Sequence, residues 1–324
     1  MADWLVEEGI AEHRAVRMDG DRIVAAHVEW PGRLAAGWVI EAKLVARAAG
    51  STRGTAITAS GEEIVVDRLP QAASEGAPLR IAITRAALEG AGRLKRAQGR
   101  PSEALPAQPS LAERLTADGY TVRIVRRFPG SEWDAVIDEA LSGAVGFAGG
   151  TLLFAPTPAM TTVDVDGDLP PRSLALAAVP ALASALRRFD LGGSVVVDFP
   201  TLGDKADRRA VDAALGEALA DWPHERTAMN GFGLVQIVTR LARPSMLHLA
   251  NRSRTGLVWR RIVRRAERLE GPGHIELSIN PALEHAVEPE HLTALQHRSG
   301  RRVVLRTDAT LALEAPHAQL VADG

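Results

Sequence analysis

The chain changes its pattern at a proline-rich segment. Before it, residues 1–96 hold short β-type runs separated by turn residues, and Asp19-Gly20 between two such runs is a strong hairpin signal. The segment itself, residues 97–109, contains three prolines and little apolar material, which is typical of a linker. Beyond it, strand-like runs alternate with amphipathic helical runs, a pattern that indicates an α/β layer. We therefore predict a mixed α/β, multidomain fold.

Composition narrows the classes of protein to consider. The length of 324 residues and 46% hydrophobic content predict a globular protein with more than one domain. The formal net charge of −2 gives no global basic field for a polyanion. The absence of cysteine excludes disulfides, thiolate zinc sites and cysteine nucleophiles. No run is apolar enough for a membrane helix and the first residues lack a signal-peptide core, so we expect a cytoplasmic protein with no membrane partner.

Carboxylates stand at the ends of two strand-like runs. Asp164 and Asp166 follow Val163 and Val165, and Asp198 follows three consecutive valines. In open α/β sheets, ligands bind beyond the carboxyl ends of strands, and a few carboxylates suit Mg²⁺, which keeps water for substrate phosphates. The alternative is that these aspartates cap the turns before the following helices.

The only dense basic run lies in a predicted helix over residues 257–269. Trp259, Ile262 and Val263 share one face of this helix, and its arginines spread over the remaining surface. Two interpretations stay open: contact with phosphates of a ligand, or an ordinary solvated face. The arginines concerned are Arg260, Arg261, Arg264 and Arg265.

Five motifs in the second half resemble, in the same order, the motifs of the ribonuclease E/G family. They are Gly149-Gly150; Thr157-x-Ala159-Met160-Thr161-x-Val163-Asp164-Val165; Asp190-Leu191-Gly192-Gly193-x-Val195-Val196-Val197-Asp198-Phe199; Arg209-Ala210-Val211; and Gly233-Leu234-Val235 followed by Arg243-Pro244-Ser245. Their common order over about a hundred residues is a far stronger signal than any one of them.

This resemblance implies a domain organisation. Residues 1–37 and 110–148 would form a split ribonuclease-H-like domain, and residues 38–96 an OB-like RNA-binding barrel inserted into it. After the linker at 97–109, residues 149–248 would form a DNase I-like catalytic domain and residues 249–324 a small α/β C-terminal domain. The family's segment that senses a 5′-monophosphate and its cysteine zinc link have no counterpart here.

The same resemblance implies an activity, namely Mg²⁺-dependent endonucleolytic cleavage of single-stranded RNA. Asp164 and Asp198 would be the metal ligands, with Mn²⁺ as a substitute for Mg²⁺ and no zinc, and Asp166 would support Asp164 in catalysis. The arginines expected to bind RNA are Arg209, Arg243, Arg260, Arg261, Arg264 and Arg265. A homodimer is compatible with the resemblance.

Several polar positions around the family's aspartates differ in this chain. The positions are Pro158, Thr201, Gln236 and Thr239, and the segment Gly167-Asp168-Leu169 follows Asp166. A non-catalytic RNA-binding relative is therefore the alternative function. A generic α/β structural protein is the third interpretation, and it requires the motif order to be accidental.

Overall fold

A computed structural model describes residues 3–88, 95–130 and 132–322; residues 89–94 of the predicted barrel and residue 131 of the predicted first domain lie outside the described residues. The strands are β1 (Trp4–Glu8), β2 (His13–Asp19), β3 (Arg22–Glu29), β4 (Val39–Arg47), β5 (Gly54–Ile57), β6 (Glu63–Val66), β7 (Pro78–Arg85), β8 (Ala97–Pro101), β9 (Val122–Ile124), β10 (Ala144–Phe147), β11 (Gly150–Pro156), β12 (Thr161–Gly167), β13 (Gly193–Asp198), β14 (Glu225–Arg226), β15 (Leu234–Thr239), β16 (His274–Ile279), β17 (Val303–Thr307) and β18 (His317–Val321). The helices are α1 (Leu111–Ala117), α2 (Glu132–Ser142), α3 (Pro171–Arg188), α4 (Lys205–Ala218), α5 (Met246–Arg252), α6 (Arg254–Ala266) and α7 (Pro289–Ser299), with a 3₁₀ turn at Pro281–Ala286. The prediction of a mixed α/β multidomain fold is confirmed.

The first sheet combines two separate parts of the sequence. Its strand order is β3-β2-β1-β9, and β1 pairs in parallel with β9, which follows the barrel in the chain. The hairpin predicted at Asp19-Gly20 is present, with Asp19 opposite Arg22. Helix α1 packs on this sheet and begins with a capping box in which Ser110 and Glu113 bond each other's backbone N–H. The chain thus leaves the first sheet, builds the barrel and returns.

The barrel is closed by five strands in the order β4-β5-β6-β8-β7 around its own apolar core. The fifth strand, β8, is a correction to the predicted linker, because Ala97–Pro101 pairs with both β6 and β7. Beyond it, Ala107 bridges Val39, so much of the proline-rich segment is fixed against the barrel. Proline content misled the prediction because Pro101 stands at the strand's end, where a missing N–H is tolerated.

The third unit is a six-stranded sheet in the order β10-β11-β12-β13-β15-β14. Only β12 and β13 pair in parallel, and α3 crosses between them. Helix α3 contacts strands β10, β11 and β12 and also β3 of the first sheet, so both sheets share one large apolar core. The opposite face of the six-stranded sheet carries exposed Leu153 and Val238. One face of this sheet is therefore covered and the other lies open.

The C-terminal unit has a three-stranded sheet, β17-β16-β18, packed with α6 and α7 around a second core. Helix α6 also joins this unit to the rest, because its buried arginines reach carboxylates of the first sheet and of α2. No helix within the described ranges has the length and apolar character needed to cross a bilayer.

Candidate metal and RNA site

The register of two parallel strands brings the predicted metal ligands together. Asp164 of β12 is the direct partner of Asp198 of β13, and both side chains are exposed. Neighbouring strands lie about 4.8 Å apart, and in-register residues point to the same side of a sheet. The two carboxylates therefore leave the sheet side by side on its open face.

Apolar side chains flank this pair. Leu153 of β11 is opposite Asp164, and Leu234 of β15 is opposite Asp198. Leu153 is 43% exposed, so the row across the sheet presents two carboxylates between two apolar neighbours. Asp166 is exposed on the same face, two residues or about 6.6 Å further along β12. The open face thus gathers all three predicted carboxylates.

The capping alternative for these aspartates is not supported by the helices that follow them. Helix α4 is capped by Asp204, whose side chain accepts from the N–H of Ala206. Helix α3 begins after Pro170 without a side-chain cap. Neither Asp166 nor Asp198 is therefore needed to end its strand or to start a helix.

The donor set suits a hydrated oxygen-ligated cation. Across the residues that the structure describes, neither Asp164 nor Asp198 forms an ion pair, and no group of three or more metal-ligating side chains occurs. Two adjacent carboxylates match the ligation of Mg²⁺, which takes one or two protein carboxylates and fills its other positions with water or phosphate. The residues present fit such an ion, and nothing in the site resembles the tetrahedral nitrogen and sulfur ligands of zinc.

The arginines of α6 contradict the prediction that they cover a solvent-facing surface. Arg260, Arg261 and Arg264 are 3%, 8% and 6% exposed. Each guanidinium is neutralised inside the protein: Arg260 pairs with Glu288, Arg261 with Asp134 at 2.9 Å and Asp138 at 2.7 Å, and Arg264 with Glu7 at 2.6 Å. These side chains are too buried to contact RNA phosphates, and the prediction is wrong for them. Glu267, which pairs with Arg264 at 3.2 Å, and Glu288 are close in sequence, but Glu7, Asp134 and Asp138 lie more than a hundred residues away, so the local pattern could not reveal the full set of partners.

The remaining predicted RNA contacts differ in accessibility. Arg265 has a side chain that is 40% exposed and pairs with Asp134 at 3.2 Å. Arg243 lies between two carboxylates, 3.8 Å from Glu29 and 3.6 Å from Asp190. Arg209 is exposed on α4, the helix that follows β13. Arg209 is accordingly the predicted contact best placed to meet a ligand from solvent.

The fold is that of a multidomain α/β protein with an exposed pair of neighbouring carboxylates on one face of a mixed sheet. Sequence comparison gives its relatives: the family model described as "Ribonuclease E/G family" matches residues 111–241. The segment shared with that family includes every strand that carries the three aspartates. The resemblance seen in the motifs is thus confirmed, and this central part of the chain is related to the ribonuclease E/G family.

Individual relatives match over a similar length. Proteins named Ribonuclease G from Escherichia coli K12, Salmonella typhimurium and Shigella flexneri are each 33% identical over 114 residues. The match spans 32% of this chain and 23% of each relative. The chain therefore covers about a quarter of the length of the curated relatives that it matches.

Proposed function

We propose that this protein is a Mg²⁺-dependent endoribonuclease that cleaves single-stranded RNA at the carboxylate pair. The observation that carries the proposal is the direct register of Asp164 and Asp198 on an open sheet face, inside the segment that matches the ribonuclease family. An extended RNA strand reaches carboxylates on an open face, whereas side chains within a closed core would be out of its reach.

Asp164 and Asp198 would hold the ion, with Mn²⁺ as a substitute. When bound there, Mg²⁺ would supply an activated water and charge neutralisation at the scissile phosphate. The two carboxylates fix that centre relative to the strand, and Asp166 is assigned to support Asp164 as an acceptor for water. Water adds to phosphorus and the bond to the 3′ oxygen breaks, which leaves a 5′-phosphate on the downstream product and a 3′-hydroxyl on the upstream one.

The non-catalytic RNA-binding alternative has one observation in its favour. Two of the residues that differ from the family's pattern form hydrogen bonds within the protein. Gln236 donates to Ser194 at 3.2 Å, and Thr239 donates to the carbonyl of Pro223 at 2.7 Å. No hydrogen bond to the side chain of Asp164 or Asp198 is formed within the described ranges. A binding relative would keep affinity for RNA while lacking cleavage.

Cleavage with defined products separates the two functions. A single-stranded RNA labelled at its 3′ end is incubated with Mg²⁺, with Mn²⁺, or with EDTA. The enzyme is expected to release fragments with either metal, to stop with EDTA, and to leave 5′-phosphates that a 5′-monophosphate-dependent exonuclease degrades. Binding without fragments under all three conditions would establish the non-catalytic relative.

The same preparation, measured by light scattering, tests the proposed homodimer, and cell fractionation tests the proposed cytoplasmic location.

A further inference from the structure

A cavity of about 600 Å³ lies where the first sheet, the barrel and the loop before α5 meet. Its volume falls within the roughly 300–1,000 Å³ of small-molecule sites, which form preferentially at domain junctions. Most of its wall is apolar, with contributions from Val28, Leu34 and Leu249. The cavity contains none of the three aspartates of the metal site.

Two tryptophans form rigid walls of this cavity. The indole N–H of Trp38 donates to the carbonyl of Pro109 at 3.1 Å, which fixes the orientation of the half-buried ring. Trp30 is 7% exposed and is held by the guanidinium of Arg260, 3.8 Å from the ring centroid. Because the polar atom of Trp38 is already bonded, the ring presents its face as an apolar surface. Such preorganised faces bind flat rings at low entropic cost.

The charges of the cavity balance one another. Arg114 pairs with Glu29, and Arg243 lies between Glu29 and Asp190. A site for a phosphate needs a surplus of positive charge, which these pairs do not leave. The interior therefore suits an uncharged ligand.

Polar groups at the rim can bond the edge of a flat ligand. Glu62 and Gln108 line the cavity, and they offer carboxylate and amide groups to ring nitrogens and exocyclic amines. Burial raises the pKa of Glu62, and the nearby charge of Arg33 opposes this effect only in part. Arg33 is exposed and stacks over Trp30 at 4.9 Å, so a cation also stands beside the opening.

We propose that this cavity binds one unstacked nucleobase against the face of Trp38, with the attached ribose and phosphate directed to solvent near Arg33. The inference deepens the proposed function, because an RNA strand engaged at the carboxylates is the natural source of such a base. A free nucleotide carries the same chemistry, and the experiment distinguishes the two sources.

Binding is measured in the Asp164→Asn protein, so that cleavage does not intervene. The probes are a short fluorescein-labelled single-stranded RNA, the same strand with abasic positions, and free adenosine and uridine monophosphates. Trp38→Leu removes a wall, whereas Ala36→Phe fills the cavity and leaves Trp38 in place. Trp222→Leu is the matched control, because this half-buried tryptophan stacks on His224 away from the cavity. Thermal unfolding verifies that each variant folds.

Both cavity variants are expected to lose tenfold or more in affinity for the RNA, equal to at least about 1.4 kcal/mol, while Trp222→Leu stays within twofold. The abasic strand should bind the Asp164→Asn protein as weakly as the intact strand binds the same protein carrying Trp38→Leu. If free monophosphates bind as tightly as the strand, the nucleotide is the ligand; if only the strand binds, the RNA supplies the base. Any of three results would overturn the proposal. The intact and abasic strands bind equally, both cavity variants keep the parent's affinity, or an aromatic peptide displaces the labelled RNA and nucleotides do not.

These outcomes separate the cavity from the proposed nuclease. Cleavage by the wild-type protein with no effect of Trp38→Leu or Ala36→Phe on RNA affinity would refute the cavity alone. Trp38-dependent base binding in a protein that never cleaves would refute the nuclease and leave the cavity standing.

Discussion

Acidic side chains in this molecule occupy two contrasting environments, and the contrast separates structural carboxylates from candidate functional ones. Glu7 is fully buried and contacts Arg14, Arg264 and Arg268. Burial alone would raise the pKa of Glu7, but the three guanidiniums together lower it below its ordinary value near 4.5. Among the residues that the structure describes, Asp164 and Asp198 have no such partners, and both face solvent.

Glu7→Gln should cost about 3–5 kcal/mol of unfolding free energy, because it leaves three buried guanidiniums without their shared counter-charge. Glu8→Gln is the control, because Glu8 is exposed, and it should change the unfolding free energy by less than about 0.5 kcal/mol. Urea unfolding of both variants measures the difference. Equal stability of the two would contradict a structural role for Glu7.

The lowered pKa of Glu7 also makes the unfolding free energy depend on pH in the acid range. Because the folded pKa of Glu7 is lowered, its stabilisation is present above the unfolded value near 4.5 and is lost as the pH falls through the folded value. The wild-type protein should therefore lose stability more steeply than Glu7→Gln below about pH 4.5. Parallel curves of unfolding free energy against pH would remove this contribution.

At the scale of elements, the arginines predicted to contact RNA differ in burial, because Arg209 is exposed on α4 and Arg261 is buried on α6. Arg209→Ala on α4 should leave the melting temperature unchanged and reduce the slope of log K for RNA against log[salt] by about 0.7, the value for one phosphate on a single strand. Arg261→Ala on α6 should instead lower the melting temperature, because Asp138 loses its partner and Asp134 keeps only Arg265. A salt titration with thermal unfolding distinguishes them, and a changed slope in a fully folded Arg261→Ala protein would contradict the assignment.

These elements also show which features of the structure could be predicted from the sequence. The hairpin at Asp19-Gly20 and the adjacency of Asp164 and Asp198 could be predicted, because turn chemistry and strand-end carboxylates are local signals. The burial of the α6 arginines could not, since several of their partners come from the first sheet and α2, which are distant in sequence. Trp30 and Trp38 also gave no signal, because the cavity between them exists only where three units meet.

At the scale of the whole molecule, residues 102–110, all of which the structure describes, lead from β8 to α1 without a further helix or named strand. The ordered connection carries Arg100 and Ser102 but ends against the neutral cavity. A preference for a 5′-monophosphate requires fixed cationic donors around that group. Cleavage should therefore be nearly indifferent to a 5′-hydroxyl, monophosphate or triphosphate.

That indifference is tested with one oligonucleotide carrying each of the three ends, at matched salt and Mg²⁺. Rates within threefold are expected. A preference of tenfold or more for the monophosphate, about 1.4 kcal/mol, would show that a phosphate-sensing site exists elsewhere in the molecule.

The proposed function depends most directly on Asp164 and Asp198, which together would hold the ion needed for RNA cleavage. Single-turnover cleavage of a fluorescent single-stranded RNA should be abolished in Asp164→Asn and in Asp198→Asn, while RNA affinity stays within twofold of wild type. Asp168→Asn is the control, because Asp168 is exposed just beyond β12 and has no assigned role, and it should cleave at the wild-type rate. Wild-type rates in both Asp164→Asn and Asp198→Asn would contradict the account.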